Sequence, residues 1–217
     1  MKYRAVVFDL FGTLVDDALP GIYPLMAQTL GLPLAEFHEG WKKLYPDRTM
    51  GQKSFAECIR AMGFSGPCVD EAATIRTGEV IRSLNAVKQE TLAVLERLTA
   101  ASVRLGLLSN ASVEVPQFWP ASPLAPFFPD PVFSCSVGLM KPQPDIYRLT
   151  CARLGLKPSD CVFVGDGGDD EIVGASAVGM PAVQVENGRP IAPGARFVIS
   201  CLADLSARLG LELARPS

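Results

Sequence analysis

The stretch YRAVVFDLFGTLV, residues 3–15, decides the fold. Its apolar run Ala5–Phe8 stops abruptly at Asp9, and Gly12 and Thr13 follow at once. An unbroken apolar run closed by turn residues reads as a buried strand ending at a turn. A carboxylate at such an end lies on the edge where open α/β sheets place their chemistry. The pattern recurs downstream. VRLGLLS, residues 103–109, ends on Ser109 and is followed by Asn110, while CVFVGD, residues 161–166, ends on Asp166. Shorter apolar runs at 131–135, 182–185 and 197–200 predict three more strands.

Amphipathic segments at 88–101, 145–154, 171–177 and 202–209 separate these runs and predict helices, the second closed by Gly155. Alternating strands and helices imply an α/β fold with a doubly wound, mainly parallel sheet. From Asp16 to Val87 the alternation is interrupted by helical patterning. Leu34, Phe37, Trp41 and Leu44 form one stripe, and Phe55, Ile59 and Met62 another, with Pro20, Pro33, Pro46 and Pro67 between segments. This predicts an all-helical insertion of about four helices. The expected organisation is a core of residues 1–15 and 88–217 and an inserted unit of residues 16–87.

Composition narrows the function classes. The 217 residues are 48% hydrophobic and carry a formal charge of -3, without a long run of like charge, which argues against a nucleic-acid binder. No apolar stretch reaches the roughly 18 residues of a membrane span, and Asp9 interrupts the first run, so a cytoplasmic location without a signal peptide is expected. The six cysteines form no C-x-x-C pair, so reduced packing cysteines are expected rather than a zinc site. The single histidine, His38, sits in a helical pattern with Glu36, Glu39 and Lys42, which removes histidine-dependent nucleophile schemes.

Asp9, Ser109, Lys141 and Asp166 all fall at or just beyond the ends of core segments. Backbone N–H groups at the Gly12-Thr13 turn, the Ser109 hydroxyl and the Lys141 ammonium would bind an anion. Asp166 and Asp170 form a second acidic group, and a carboxylate-rich donor set suits Mg²⁺. The expected partner is a small anionic molecule. Singly, each residue also has an ordinary structural use: Asp9 as a turn cap, Ser109 and Asn110 as local hydrogen bonders, the acids of 169–171 as a helix start.

Taken in order, VVFDLFGTLVDD, LLSN, the Lys141-Pro142 pair in GLMKPQPDIY, and FVGDGGDDEIVGA resemble the four motifs of the haloacid dehalogenase-like hydrolase superfamily. The resemblance covers essentially the whole chain, the helical insertion matching the cap that one subgroup places after the first motif. It implies that Asp9 is the nucleophile, that Ser109 holds the transferred group with Asn110 in support, and that Lys141 offsets charge between Asp9 and substrate. It further implies that Mg²⁺ is bound by Asp9, the backbone carbonyl of Phe11 and Asp166, with Asp170, or one step later Glu171, as the second acid of the fourth motif.

One position departs from the phosphatase pattern. Most phosphatases of the superfamily carry a general acid two residues after the nucleophile, where this chain has Phe11. A phenyl ring transfers no proton. Three explanations stand: a substrate with an acidic leaving group; another acid from Asp16, Asp17 or the cap, where Lys42, Lys43, Tyr45 and Arg48 cluster and would close over an anionic substrate, a surface charge cluster being the commoner use of such residues; or a halide leaving group. The superfamily's dehalogenases also carry an aromatic residue there, but they do not use metal, which sets the acidic fourth motif against that reading. A Mg²⁺-dependent phosphohydrolase is therefore expected, with a 2-haloacid dehalogenase or a non-catalytic binding protein as alternatives. The long insertion after the first strand argues against a receiver-like signalling domain. Neither the insertion nor the Pro- and Phe-rich loop 116–131 carries a motif that identifies the substrate or a subunit contact, and an oligomer is left open.

Overall fold

A computed structural model describes residues 3–209; positions 1–2 and 210–217 of the expected core lie outside the described residues. The chain begins with β1 (Ala5–Phe8) and continues through five helices, α1 (Tyr23–Thr29), α2 (Leu34–Lys43), α3 (Tyr45–Thr49), α4 (Phe55–Ala61) and α5 (Pro67–Asn85). Then come α6 (Gln89–Ala100), β2 (Arg104–Ser109), α7 (Glu114–Phe118), β3 (Val132–Phe133), α8 (Ser134–Val137) and α9 (Pro144–Arg153). The last elements are β4 (Cys161–Gly165), α10 (Glu171–Ala177), β5 (Ala182–Val185), β6 (Ala195–Ile199) and α11 (Leu205–Arg208).

The six strands form one sheet in the order β3-β2-β1-β4-β5-β6. Every pairing is parallel, β1 lying between β2 and β4 with Phe8 opposite both Leu107 and Val164. The runs read as buried strands are buried on both faces: β1 and β4 contain no exposed residue. One face packs on a cluster that includes Phe8, Leu95, Leu98 and Phe128, the other on Val7, Ile146, Tyr147 and Phe163. The chain runs from β1 to β2 and β3 on one side, then crosses to β4 on the other. The crevice beyond the ends of β1 and β4 is therefore the switch point at which doubly wound sheets bind ligands.

Between β1 and β2 the described residues are helical, with a third apolar cluster built on Met26, Phe37, Trp41, Phe55, Ile59 and Val69. Over residues 16–87 sequence periodicity suggests about four helices, whereas the five helices α1 to α5 form there, because Pro46 at the start of α3 breaks the continuation of α2. The α4 start is specified locally: Ser54 Oγ accepts the Glu57 N–H at 3.3 Å while the Glu57 carboxylate accepts the Ser54 N–H at 2.7 Å, a capping box. The third strand is shorter than the run 131–135 suggests, since Ser134 opens α8 and its side chain takes up a buried backbone donor, the Ala111 N–H. Within loop 116–131, Trp119 and Phe128 are buried core residues, which accounts for its aromatic content by packing. His38 is exposed on α2, and all six cysteines are free, three buried and three partly so. No helix among the described residues is long and apolar enough to cross a membrane.

Candidate active site at the sheet edge

A cavity of about 230 Å³ opens at the crevice between the sheet edge and the inserted helices. Asp9, Ser109, Asn110, Lys141, Asp166 and Glu171 line its sheet side; Tyr45, Arg48 and Arg76 line its helical side. Asp9 directly follows β1, Ser109 ends β2 and Asp166 directly follows β4, so three neighbouring strands deliver three polar groups to one point. Lys141 arrives from the segment between α8 and α9 and is almost fully buried. Its Nζ donates to Asp9 Oδ1 at 2.6 Å and to Glu171 Oε2 at 2.5 Å.

Electrostatics make this group a tight unit. Burial raises the Asp9 carboxyl above the usual carboxylate range, opposed by the Lys141 charge. Burial likewise raises the Glu171 carboxyl, again opposed by Lys141. Burial alone would lower the Lys141 ammonium, but the charges of Asp9 and Glu171 outweigh it and hold it well above its ordinary value. The lysine is therefore a fixed cation beside the carboxylate at the end of β1.

Asp166 is held from several directions. Its Oδ1 accepts the Gly168 N–H at 2.8 Å, and its Oδ2 accepts from Asn187 Nδ2 at 2.7 Å and from Arg189 Nε at 3.1 Å. Gly12, with φ +81°, lies against the same carboxylate: a Cβ there would stand 2.5 Å from Asp166 Oδ2. Gly165 permits a second close approach, for a Cβ at that position would sit 2.0 Å from Glu171 Oε1. Both glycines are thus required by carboxylates crossing the backbone rather than by turn geometry alone.

Of the positions singled out in the sequence, Asp9, Phe11, Ser109, Asn110, Lys141 and Asp166 meet in the cavity. Ser109 Oγ is buried without a hydrogen-bond partner, a hydroxyl free to donate to a ligand. Three residues fall elsewhere. The Gly12 and Thr13 N–H groups do not point at an anion, because they close the turn by donating to Val15 O at 2.7 Å and Leu10 O at 3.4 Å. They line a separate cleft instead. Asp170 is exposed and absent from the cavity lining, while Glu171 is buried in it. Asp169 and Asp170 both adopt φ +52°, and this kink before α10 turns the next residue inward.

Of the cap cluster that sequence offers either for closure over an anion or as surface charge, Tyr45 and Arg48 line the cavity. Arg48 is buried, whereas Lys42 and Lys43 are exposed. Arg76 and Arg189 give no local signal, each looking like an ordinary helix or loop cation. Among the alternative acids, Asp17 lines the cavity and burial raises its carboxyl. Asp16 instead pairs with Lys88 at 2.7 Å on the surface. Tyr45 bridges the two sides, donating to Asp169 Oδ2 and accepting from Asn110 Nδ2 at 3.4 Å.

Carboxylate oxygens of Asp9, Asp166 and Glu171 lie within 4.8 Å of one another. The Phe11 carbonyl accepts no hydrogen bond from a described residue. Hard, negatively charged oxygen donors with a spare carbonyl fit Mg²⁺ and offer no soft ligand for zinc or copper.

Comparison with known proteins gives a consistent result. The family model of the haloacid dehalogenase-like hydrolases matches residues 3–179. A glyceraldehyde 3-phosphate phosphatase of Methanocaldococcus jannaschii is 25% identical over 197 residues, covering 86% of each chain. A phosphoglycolate phosphatase of Escherichia coli K12 is 28% identical over 215 residues, covering 85% of this chain and 82% of that one. The crystal structure of a HAD phosphatase from Thermococcus onnurineus superposes with a TM-score of 0.71 at 24% identity, covering 97% of this chain and all of the other.

Proposed function

This chain belongs to the haloacid dehalogenase-like hydrolases, and from that premise we propose that it is a Mg²⁺-dependent phosphohydrolase acting on a small phosphorylated metabolite through an aspartyl-phosphate on Asp9. The observation that carries the reading is the Lys141 ammonium shared between Asp9 and Glu171, beside Asp166 and the unpartnered Ser109 hydroxyl. The phosphatase names of the relatives support it.

In this reading an Asp9 carboxylate oxygen attacks phosphorus, and the bond to the leaving oxygen breaks with its electron pair. Ser109 Oγ donates to a phosphoryl oxygen, and Lys141 offsets the negative charge that a phosphate brings toward a carboxylate. Asn110 holds the Lys141 backbone in place. Asp9, the Phe11 carbonyl and Asp166 would hold Mg²⁺, with Glu171 in place of Asp170 as the neighbouring acid, and a cation bound there would supply charge neutralisation at the phosphoryl group. Water then attacks the aspartyl-phosphate, releasing inorganic phosphate and restoring Asp9. Residues 16–87 act as a cap over a core of 1–15 and 88–217, excluding water from the cavity. Phe11 supplies no proton, so acyl, anhydride or aryl phosphates are preferred over alkyl esters.

The aromatic side chain at Phe11 also favours a second reading, displacement of halide from a 2-haloacid, which needs no leaving-group proton. The test is phosphate and chloride release by the purified protein, with and without Mg²⁺, using Asp9→Asn as the blank. Mg²⁺-dependent phosphate release rising with leaving-group acidity is expected. Chelator-insensitive chloride release without phosphate release would establish dehalogenation instead, and inactivity in both assays would point to a binding protein.

A further inference from the structure

The cavity has two chemically different ends. Opposite Asp9, Ser109 and Lys141 stand two arginines of the inserted helices, Arg48 in α3 and Arg76 in α5, with exposures of only 8% and 5%. Neither has an ion-pair partner within 4.0 Å among the described residues. Trp41 holds both. The Arg48 guanidinium carbon lies 4.0 Å from its ring centroid and that of Arg76 5.6 Å, so two like charges share one aromatic ring.

Their hydrogen bonds leave capacity unused. Arg48 Nη1 donates to Trp41 O at 2.8 Å, and Arg76 Nη2 to Ser112 Oγ at 2.9 Å. Arg76 Nε–H is buried with no acceptor. Burial lowers both guanidinium groups, Arg48 to about 10, yet both stay charged at neutral pH. Two carboxylates bear on Arg76: Glu114, which is buried but does not line the cavity, and Asp17, which lines the cavity from a solvent-accessible position and forms no ion pair with it. A desolvated cation without a contact partner is costly unless a ligand supplies the anion.

We propose that Arg76, assisted by Arg48, is a second anion subsite that receives a carboxylate at the end of the substrate remote from the transferred phosphoryl group. Among the activated phosphates that Phe11 favours, the preferred substrates are then short ones that carry a free carboxylate at the other end, such as the acyl phosphate of a small dicarboxylic acid. The proposal rests on the phosphohydrolase reading and sharpens its substrate class. A planar guanidinium edge with a free Nε–H matches a carboxylate oxygen pair. The 230 Å³ cavity is below the roughly 300–1,000 Å³ of sites for drug-sized ligands, which restricts the occupant to a few carbon atoms.

The experiment measures binding, not turnover. 3-Phosphonopropionate and propylphosphonate, which differ in a carboxylate against a methyl group, are titrated calorimetrically into the Mg²⁺-loaded protein. The carboxylate is expected to tighten binding by about tenfold or more, with the ratio collapsing to about twofold or less in Arg76→Met and partly retained in Arg76→Lys. Equal affinities in the unmutated protein overturn the subsite, whether or not Arg76→Met folds, as does a ratio that survives in a folded Arg76→Met. Tighter binding of ethane-1,2-diphosphonate than of phosphonopropionate replaces the carboxylate with a second phosphoryl group and overturns the proposal as stated. If neither monophosphonate binds while chloride is released from a 2-haloacid, the phosphohydrolase reading itself has failed.

Discussion

Asn110 holds Lys141 by both sides of its backbone: Asn110 Oδ1 accepts the Lys141 N–H at 2.8 Å, and Asn110 Nδ2 donates to the Lys141 carbonyl at 3.2 Å. The same Nδ2 donates to Asp169 Oδ2 at 2.9 Å. One side chain after β2 thereby joins the lysine segment, the α10 kink and, through Asp169, Tyr45 of the inserted helices. Asn110→Ala is expected to fold and to lower kcat about 10- to 100-fold with a smaller change in KM, because the Lys141 ammonium loses its placement rather than its charge. Steady-state kinetics on an aryl phosphate checks this, and an unchanged kcat would refute the positioning role.

Removing the Lys141 charge is a different perturbation. Lys141→Met leaves Asp9 and Glu171 buried together without their shared cation. Loss of one partner from a buried ion pair typically costs about 3–5 kcal/mol. Urea unfolding of metal-free protein should show a loss of that size, with turnover abolished. A loss below about 1 kcal/mol would mean the cluster is far better hydrated than its burial indicates.

Gly12→Ala tests the close approach of the first turn to Asp166. The added Cβ would lie 2.5 Å from Asp166 Oδ2, at a φ of +81°. Backbone strain of this kind costs about 1–3 kcal/mol. We expect that loss in thermal or urea unfolding, together with a higher Mg²⁺ concentration for half-maximal activity, since Asp166 must move. Wild-type Mg²⁺ dependence in a destabilised protein would separate the turn from the metal site.

Phe11→Asp restores a proton donor at the cavity wall. Positioned general acids contribute about 10²–10⁴ in rate when the leaving group is poor. The variant should gain at least about tenfold on alkyl phosphates and change little on acyl phosphates. The dependence of kcat/KM on leaving-group pKa should flatten accordingly. Equal gains on both substrate classes would show that the phenyl ring obstructs the site rather than withholding a proton.

Metal removal gives a direct reading of the acidic group. Chelation should abolish phosphate release, and Mg²⁺ should restore it and raise the unfolding temperature by mass action. In Asp166→Asn that stabilisation should disappear. Persistence of the full thermal shift in the variant would place the ion elsewhere.

Sequence alone specified the sheet and put Asp9, Ser109 and Asp166 at its edge. Parallel strands covered on both faces must be apolar throughout, so the residues that end each run, Asp9 after Phe8, Ser109 after Leu108 and Asp166 after Gly165, announce both a strand and its ligand-facing end. Whatever depended on backbone direction or distant packing was decided only in three dimensions. The Gly12 and Thr13 N–H groups are consumed by their own turn, which composition cannot show. Asp170 and Glu171 are neighbours of like chemistry, and only two consecutive positive-φ residues send the first to solvent and the second to Lys141. Arg48 and Arg76 lie on separate helices and each resembles a solvated surface cation. They share a cavity because helix packing around Trp41 desolvates both, and desolvation is a property of the assembled fold that no local spacing encodes.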